Sequence, residues 1–281
     1  MERLAAILTC YNRKAQTLAC LAALFSQVDN VTVYLVDDGS TDGTGEAVQR
    51  DYADVQVIQG TGNLFWNGGM RLGFAAALEG DYDGYLWLND DTVLYPGAIA
   101  SLLTTAQAVP TPAIITGSTQ DPRSRLFTYG GMRQIHPLFP PFKVRPVIPS
   151  DRPQRCDLMC GNIVLIPRAI AHHLGNLDPH LTHYAGDWDY GLRAKQAGFP
   201  IWVAPGYQGS CAANPRPTPN LTEVEKLSQP KGMMLADVTL HPWQEWKLLM
   251  RRHGGWLWPL FWLSPYRRIA LQLLWQRLRG S

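Results

Sequence analysis

Leu86-Trp87-Leu88-Asn89-Asp90-Asp91-Thr92 decides how the rest of the chain reads. A short apolar run that ends in adjacent carboxylates predicts a buried strand delivering negative charge to its exposed tip. Neighbouring carboxylates at a strand end repel one another, so they persist where a divalent cation neutralises them, and oxygen ligands suit Mg²⁺ or Mn²⁺. Asp91 is on this ground a candidate metal ligand. A second reading has Asp90 and Asp91 capping the next helix, which Pro96 would start.

Upstream of this strand the chain alternates regularly. Leu4 to Thr9 predicts a strand, Cys10-Tyr11-Asn12-Arg13 a loop, and Leu18, Leu21, Ala22 and Phe25 a helix by their spacing. Val31 to Val36 is a second apolar strand; it ends in the acidic turn Asp37-Asp38-Gly39-Ser40-Thr41-Asp42-Gly43, before a helix through Glu46 to Tyr52. Val55 to Ile58 gives a third strand, Gly60 to Gly69 a long glycine-bearing loop, and Met70 to Leu78 the following helix. Such alternation implies an α/β fold with parallel strands and helices on both faces of the sheet. Ligands of open sheets bind beyond the carboxyl ends of the strands, which here carry Tyr11, Asp38, Asn63 and Asp91.

Downstream, Ala113 to Thr116 reads as a strand, and Asp121 to Pro153 as a Pro-, Arg- and aromatic-rich excursion near the site. Asp157 to Ile166 resumes an apolar strand, and Arg168 to Leu174 is a short helix. Ala185-Gly186-Asp187-Trp188-Asp189-Tyr190-Gly191-Leu192-Arg193 opens a helix that ends at Gly198. Asp189 is placed to cap it, and Asp187, just before it, to project into the crevice; in a second reading both merely cap.

From Trp246 onward no acidic residue occurs, while Lys247, Arg251, Arg252, Arg267, Arg268, Arg277 and Arg279 interleave with Trp256, Trp258, Phe261, Trp262, Tyr266 and Trp275. That is a membrane-surface composition. Pro259, Pro265 and Arg267-Arg268 interrupt the apolar stretch, so the segment is expected to lie on a membrane, not to cross it. The competing reading folds the tail into a helix pair with its tryptophans as core.

Length and composition bound the class. With 281 residues, 46% of them hydrophobic, the chain can bury a large core, and a net charge of +2 gives no global signal for nucleic acid. Five irregularly spaced cysteines and a Met1-Glu2-Arg3 start without a secretory signal predict a reducing cytoplasm, with Cys156 and Cys160 as packing residues. The expected organisation is a catalytic domain over residues 1–215 and a C-terminal helical, basic-aromatic segment over 216–281.

Four motifs in order, Leu8-Thr9-Cys10-Tyr11-Asn12-Arg13, Val36-Asp37-Asp38-Gly39-Ser40-Thr41-Asp42, Leu88-Asn89-Asp90-Asp91-Thr92, and Gly186 to Arg193 with Ala197-Gly198, carry a resemblance over roughly residues 1–210. Their succession resembles the family 2 inverting glycosyltransferases, GT-A-fold enzymes that use nucleotide sugars, and within them the rhamnosyltransferase-like branch. The resemblance implies a mostly parallel central sheet flanked by helices, with Thr9 and Tyr11 bordering the nucleotide base. It further implies that Asp38 accepts from a pyrimidine ring N–H. An ionised carboxylate accepts only, so it matches the imide of uracil or thymine, whereas cytosine N3 is itself an acceptor. Asn89 and Asp91 match the ends of the family's Asp-X-Asp element, which puts Asn89 near the ribose, Asp90 with it among the donor-contacting residues, and Asp91 on Mg²⁺ or Mn²⁺. Glycine N–H groups and a helix N-terminus between Gly62 and Arg71 suit a diphosphate, with Arg71 adding charge and Trp66 and Asn67 in reach of the sugar.

Asp187 matches the family's catalytic base, which takes a proton from the acceptor hydroxyl. The implied function is metal-dependent, inverting transfer of a hexose or deoxyhexose from UDP- or dTDP-sugar to a glycan or lipid-linked glycan in cell-surface polysaccharide synthesis, by a protein peripheral on the inner face of the membrane. The chain departs from the resemblance in one place: many relatives carry a metal-binding His after the strand here running Pro200 to Ala204, where this sequence has Pro205-Gly206-Tyr207-Gln208-Gly209-Ser210-Cys211. His183, His241 and His253 are the possible substitutes. A sugar-nucleotide nucleotidyltransferase would share the sheet and carboxylates but need a glycine-rich phosphate loop near the first strand, which Thr9 to Lys14 lacks. A non-catalytic sugar-binding scaffold would not need Asp38, Asp91 and Asp187 together.

Overall fold

A computed structural model describes residues 1, 3–136, 140–182, 185–213, 233–235, 238–240 and 243–267. The chain divides into two units, one of residues 1–133 and 145–213, the other of residues 134–144 and 214–281.

The first unit alternates from its start: β1 (Leu4–Cys10), α1 (Lys14–Phe25), β2 (Val31–Asp37), α2 (Thr44–Asp51), β3 (Gln56–Gln59), α3 (Phe65–Leu78), β4 (Gly84–Leu88), β5 (Val93–Leu94) and α4 (Ala98–Ala108). After β6 (Ile114–Gln120) come the short strands β7 (Gly131–Gln134), β8 (Val144–Pro146), β9 (Gln154–Cys156) and β10 (Leu158–Met159), then β11 (Ile163–Pro167), α5 (Arg168–Leu174), α6 (Gly186–Gln196) and β12 (Ile201–Ser210). The main sheet runs β3-β2-β1-β4-β11-β6-β12-β5, with β9 added on β12. Strand β1 shows why both faces are covered. Its side chains alternate across the pleat, so Leu4, Ala6, Leu8 and Cys10 enter one core with Leu21, Leu24 and Leu102, while Ala5 and Ile7 enter the other with Met70, Phe74 and Tyr190.

Register sets the site. Strands β3, β2, β1 and β4 are parallel, with Cys10 beside Asp37 and Leu4 beside Gly84, so their carboxyl ends open on one edge. Strand β11 is antiparallel to β4, with Ile163 opposite Leu88, which brings the turn before β11 to the same edge. The Asn89 N–H donates to the Asn162 carbonyl at 3.1 Å. The central sheet is mostly parallel and flanked by helices, as expected, with β5, β9 and β11 pairing antiparallel.

Four local expectations are corrected. Helix α3 starts at Phe65, not Met70, so Trp66 and Asn67 are helical. Helix α4 begins after Gly97, at φ +82°, with β5 between it and the acidic tip, so Asp90 and Asp91 cap nothing there. Helix α6 begins at Gly186 and has no side-chain cap; Asp189 is fully buried and pairs with Arg193 at 2.9 Å one turn on. The interval Asp157 to Ile166 is two strands split at Cys160 to Asn162.

The second unit contains an antiparallel pair, β13 (Met233–Leu235) with β14 (Val238–Leu240), then α7 (Trp243–His253), a 3₁₀ turn Gly255–Leu257 and helical backbone over 258–267. Residues 134–144, expected near the site, belong to this unit, where the Phe142 ring lies 5.7 Å from that of Trp246. The sequence-based domain boundary at 215, and Arg268, Trp275, Arg277 and Arg279, lie outside the described residues. Among the described residues no helix is long and apolar enough to cross a membrane.

Candidate active site

At the tip of β2, Asp38 is 5% exposed and organises the loop that follows β3. Its Oδ1 accepts from the Gly62 N–H at 2.8 Å, and its Oδ2 from the N–H groups of Leu64 at 2.8 Å and Phe65 at 3.1 Å. Phe65 holds φ +52°, a conformation bulky side chains avoid, at the first position of α3. A carboxylate has about four lone-pair positions, so these three bonds leave one acceptor position on Oδ1. Asp37 behaves as a turn former, accepting from the Ser40 N–H at 2.8 Å. Tyr11 is 55% exposed at the end of β1, and Asn63 is exposed on the loop.

The early start of α3 has a steric cause. A Cβ at Gly69 would collide with Thr9 Oγ1, so only glycine lets the first turn of α3 settle on the end of β1. That turn carries Trp66, whose Nε1–H donates to Asn89 Oδ1 at 2.7 Å. Trp66 also covers Gly161, where a Cβ would strike its ring, and the Gly161 N–H donates to Asp187 Oδ2 at 2.8 Å. Asp187 Oδ1 accepts from the Trp188 N–H at 2.8 Å, and Ala185, just before α6, sits at φ +60°. Burial pushes the Asp187 carboxyl up to about 6, with the Gly161 and Trp188 N–H bonds opposing. A continuous path of contacts thus joins Asp38, the 62–65 loop, Trp66, Asn89, Gly161 and Asp187.

Asn67 does not belong to the crevice surface. It is fully buried, and its amide donates to the backbone carbonyls of Asp178, at 3.1 Å, and Leu181, so a sugar contact through this side chain is corrected to a structural role. Arg71 lies half-buried further along α3, where its carbonyl accepts from Asn176 at 2.9 Å.

The acidic tip is held by a residue that the sequence did not single out. Arg13 Nη1 lies 2.7 Å from Asp91 Oδ2 and 3.2 Å from Asp90 Oδ1. Burial raises the Asp90 carboxyl to about 7, Arg13 works against that, and Asp91 adds to it. Cys211 occupies the end of β12, where the resemblance leads one to expect a His, and its thiol lies 3.4 Å from Asp91 Oδ1. Burial, with Asp91 beside it, pushes this thiol up to about 12, so with no cation beside it the thiol stays protonated near neutrality. Among the described residues no group of three or more His, Cys, Asp and Glu side chains gathers to hold a metal. Asp91, with 22% of its side chain exposed, offers one hard carboxylate, which fits a Mg²⁺- or Mn²⁺-type ion whose remaining ligands are diphosphate oxygens and water. His183 and His241 lie outside the described residues, and His253 is in the second unit.

The Glycosyl transferase family 2 profile matches residues 5–166, and the chain belongs to that family. Its class is therefore that of the GT-A glycosyltransferases.

Among curated proteins it is similar to the N-acetylglucosaminyl-diphospho-decaprenol L-rhamnosyltransferase of two Mycobacterium tuberculosis strains, CDC 1551 / Oshkosh and ATCC 25618 / H37Rv, 26% identical over 194 residues in each. The match covers 60% of this chain and 62% of those relatives' length. Solved structures share the fold. The mannosyltransferase PcManGT from Pyrobaculum calidifontis, in complex with GDP-Man and Mn²⁺, gives a TM-score of 0.58 at 16% identity over 99% of this chain and 76% of that one. GalNAc-T7 with UDP, GalNAc and Mn²⁺ gives 0.65 at 12% identity over 88% and 48%.

Proposed function

We propose that this glycosyltransferase transfers a deoxyhexose, with inversion, from a pyrimidine nucleoside diphosphate to a lipid-linked glycan at a membrane surface. The reading is carried by Asp187, a carboxylate lifted to about 6 and held by the Gly161 N–H directly behind the ring of Trp66. Near neutrality it is deprotonated yet basic enough to draw the proton from an attacking hydroxyl. A base on the face opposite the leaving diphosphate gives single-displacement inversion.

The remaining acceptor position of Asp38 suits the imide N–H of uracil or thymine, and the exposed ring of Tyr11 suits the base face. Asn89 and Asp90 are the proposed neighbours of the ribose, with Asn63 and Arg71 toward the diphosphate. Asp91 would hold Mg²⁺ or Mn²⁺, which neutralises charge on the departing diphosphate when bound. Arg13 rests on Asp91 Oδ2 and would compete with a bound ion for that carboxylate, and once released its guanidinium would suit the diphosphate. Similarity to the rhamnosyltransferases supports a rhamnose-like sugar and a diphospho-polyprenol-linked acceptor. Such an acceptor places the reaction at a lipid surface, which the basic-aromatic C-terminal segment suits.

Thermal stabilisation by nucleotide sugars with Mn²⁺ tests the donor. UDP- or dTDP-sugar should raise the unfolding midpoint and CDP-sugar should not; equal stabilisation by CDP-sugar contradicts the role given to Asp38.

A further inference from the structure

The helical backbone over 258–267 is apolar on two sides. One side is used within the second unit: the Trp262 ring lies 4.3 Å from Trp243, Tyr266 lies 4.5 Å from Trp243, and the Trp262 carbonyl accepts from Trp246 Nε1 at 3.2 Å. A helix turns about 100° per residue, which carries Leu260, Leu263 and Arg267 roughly 100–160° around the axis from Trp262. With Trp256 in the turn before it, these residues recur at helical spacing as an exposed stripe. Trp256 is 86% exposed, Leu260 63% and Leu263 44%, and Arg267 is exposed as well.

We propose that this stripe inserts into the outer part of an anionic bilayer leaflet, with Trp256 as its interfacial anchor. Charge decides the occupant. The sequence over 243–267 carries the cations Lys247, Arg251, Arg252 and Arg267 and one carboxylate, Glu245, which is buried. Lys247 lies with its Nζ 5.1 Å from the Trp262 ring, at the edge of the same helix pair. A second protein surface would be expected to bring balanced charge, whereas acidic headgroups match a cationic rim around an apolar stripe. Arginine at the end of the stripe can keep its head among phosphates while its stem lies along the apolar surface.

This inference rests on the membrane-surface reading above but not on the sugar chemistry, and the two fail differently. The full chain is sedimented with vesicles of phosphatidylcholine containing phosphatidylglycerol. Replacing Trp256, Leu260 and Leu263 together by Ser should lower the partition coefficient at least about tenfold, since several exposed apolar side chains lose their lipid burial. Trp256→Phe should keep partition while lessening quenching of protein fluorescence by brominated acyl chains. Wild-type partition by the triple variant overturns the stripe alone, and no binding by the wild type overturns the membrane reading with it. A vesicle-free dimer that the triple variant dissociates, without vesicle binding by the wild type, assigns the stripe to a second copy and also overturns the proposal.

Discussion

Replacing Asp38 by Asn separates an organiser of the donor loop from a simple turn residue. The carboxylate accepts three backbone N–H bonds, from Gly62, Leu64 and Phe65, and it is 5% exposed. An Asn of the same shape turns one oxygen into a donor. If its carbonyl keeps Leu64 and Phe65, its NH₂ must face the Gly62 N–H, and one bond is lost outright. Hydrogen bonds to charged groups are worth about 1.5–3 kcal/mol and neutral ones about 1, so losing one and weakening two costs about 3–5 kcal/mol. The left-handed φ of Phe65 then loses part of what holds it. For a unit of this size the expected fall in the unfolding midpoint is roughly 10 °C. Differential scanning calorimetry without ligand, with limited proteolysis at the 60–65 loop, is the assay. A midpoint within about 2 °C of wild type and unchanged proteolysis would refute the reasoning, because a solvated turn carboxylate costs about that little.

Gly161→Ala should cost about 2–4 kcal/mol, since the new methyl displaces Trp66 and its bond to Asn89; a loss under about 0.5 kcal/mol in urea unfolding would mean that Trp66 does not pack there. Arg13→Gln should bind Mn²⁺ several-fold more tightly in the absence of nucleotide, as the competing cation leaves Asp91; isothermal titration showing equal or weaker binding contradicts the proposed exchange. The Asp187 carboxyl, raised to about 6, must be deprotonated to act as base, so kcat/KM for the acceptor should fall as pH drops through about 6. A profile flat from about pH 5 to 7 speaks against that role.

Much of the sheet was legible because apolar strands and turn chemistry are local signals. The Arg168–Leu174 helix is observed with those same bounds, since a preceding proline and a following glycine mark it. The start of α3 was not legible: Gly68 and Gly69 read as loop punctuation, whereas Gly69 is there to clear Thr9, a residue far away in sequence. The antiparallel β11 was equally hidden, because an apolar run carries no direction.

At the site, motif order named the carboxylates but not their partners. Arg13 meets Asp90 across 77 residues, and Gly161 meets Asp187 across 26, contacts that no spacing rule supplies. Asn67 misled because a polar residue beside glycines resembles a binding loop, while its buried amide serves two backbone carbonyls. Cys211 was noticed only as the absence of a His, and the fold gives it a place beside Asp91.

The most direct measurement is Asp187→Asn with donor binding and sugar transfer followed on the same preparation. Donor affinity within about threefold of wild type, with transfer down by at least about a hundredfold, is the outcome the account predicts. Transfer near the wild-type rate would remove Asp187 as the base and the inverting displacement built on it.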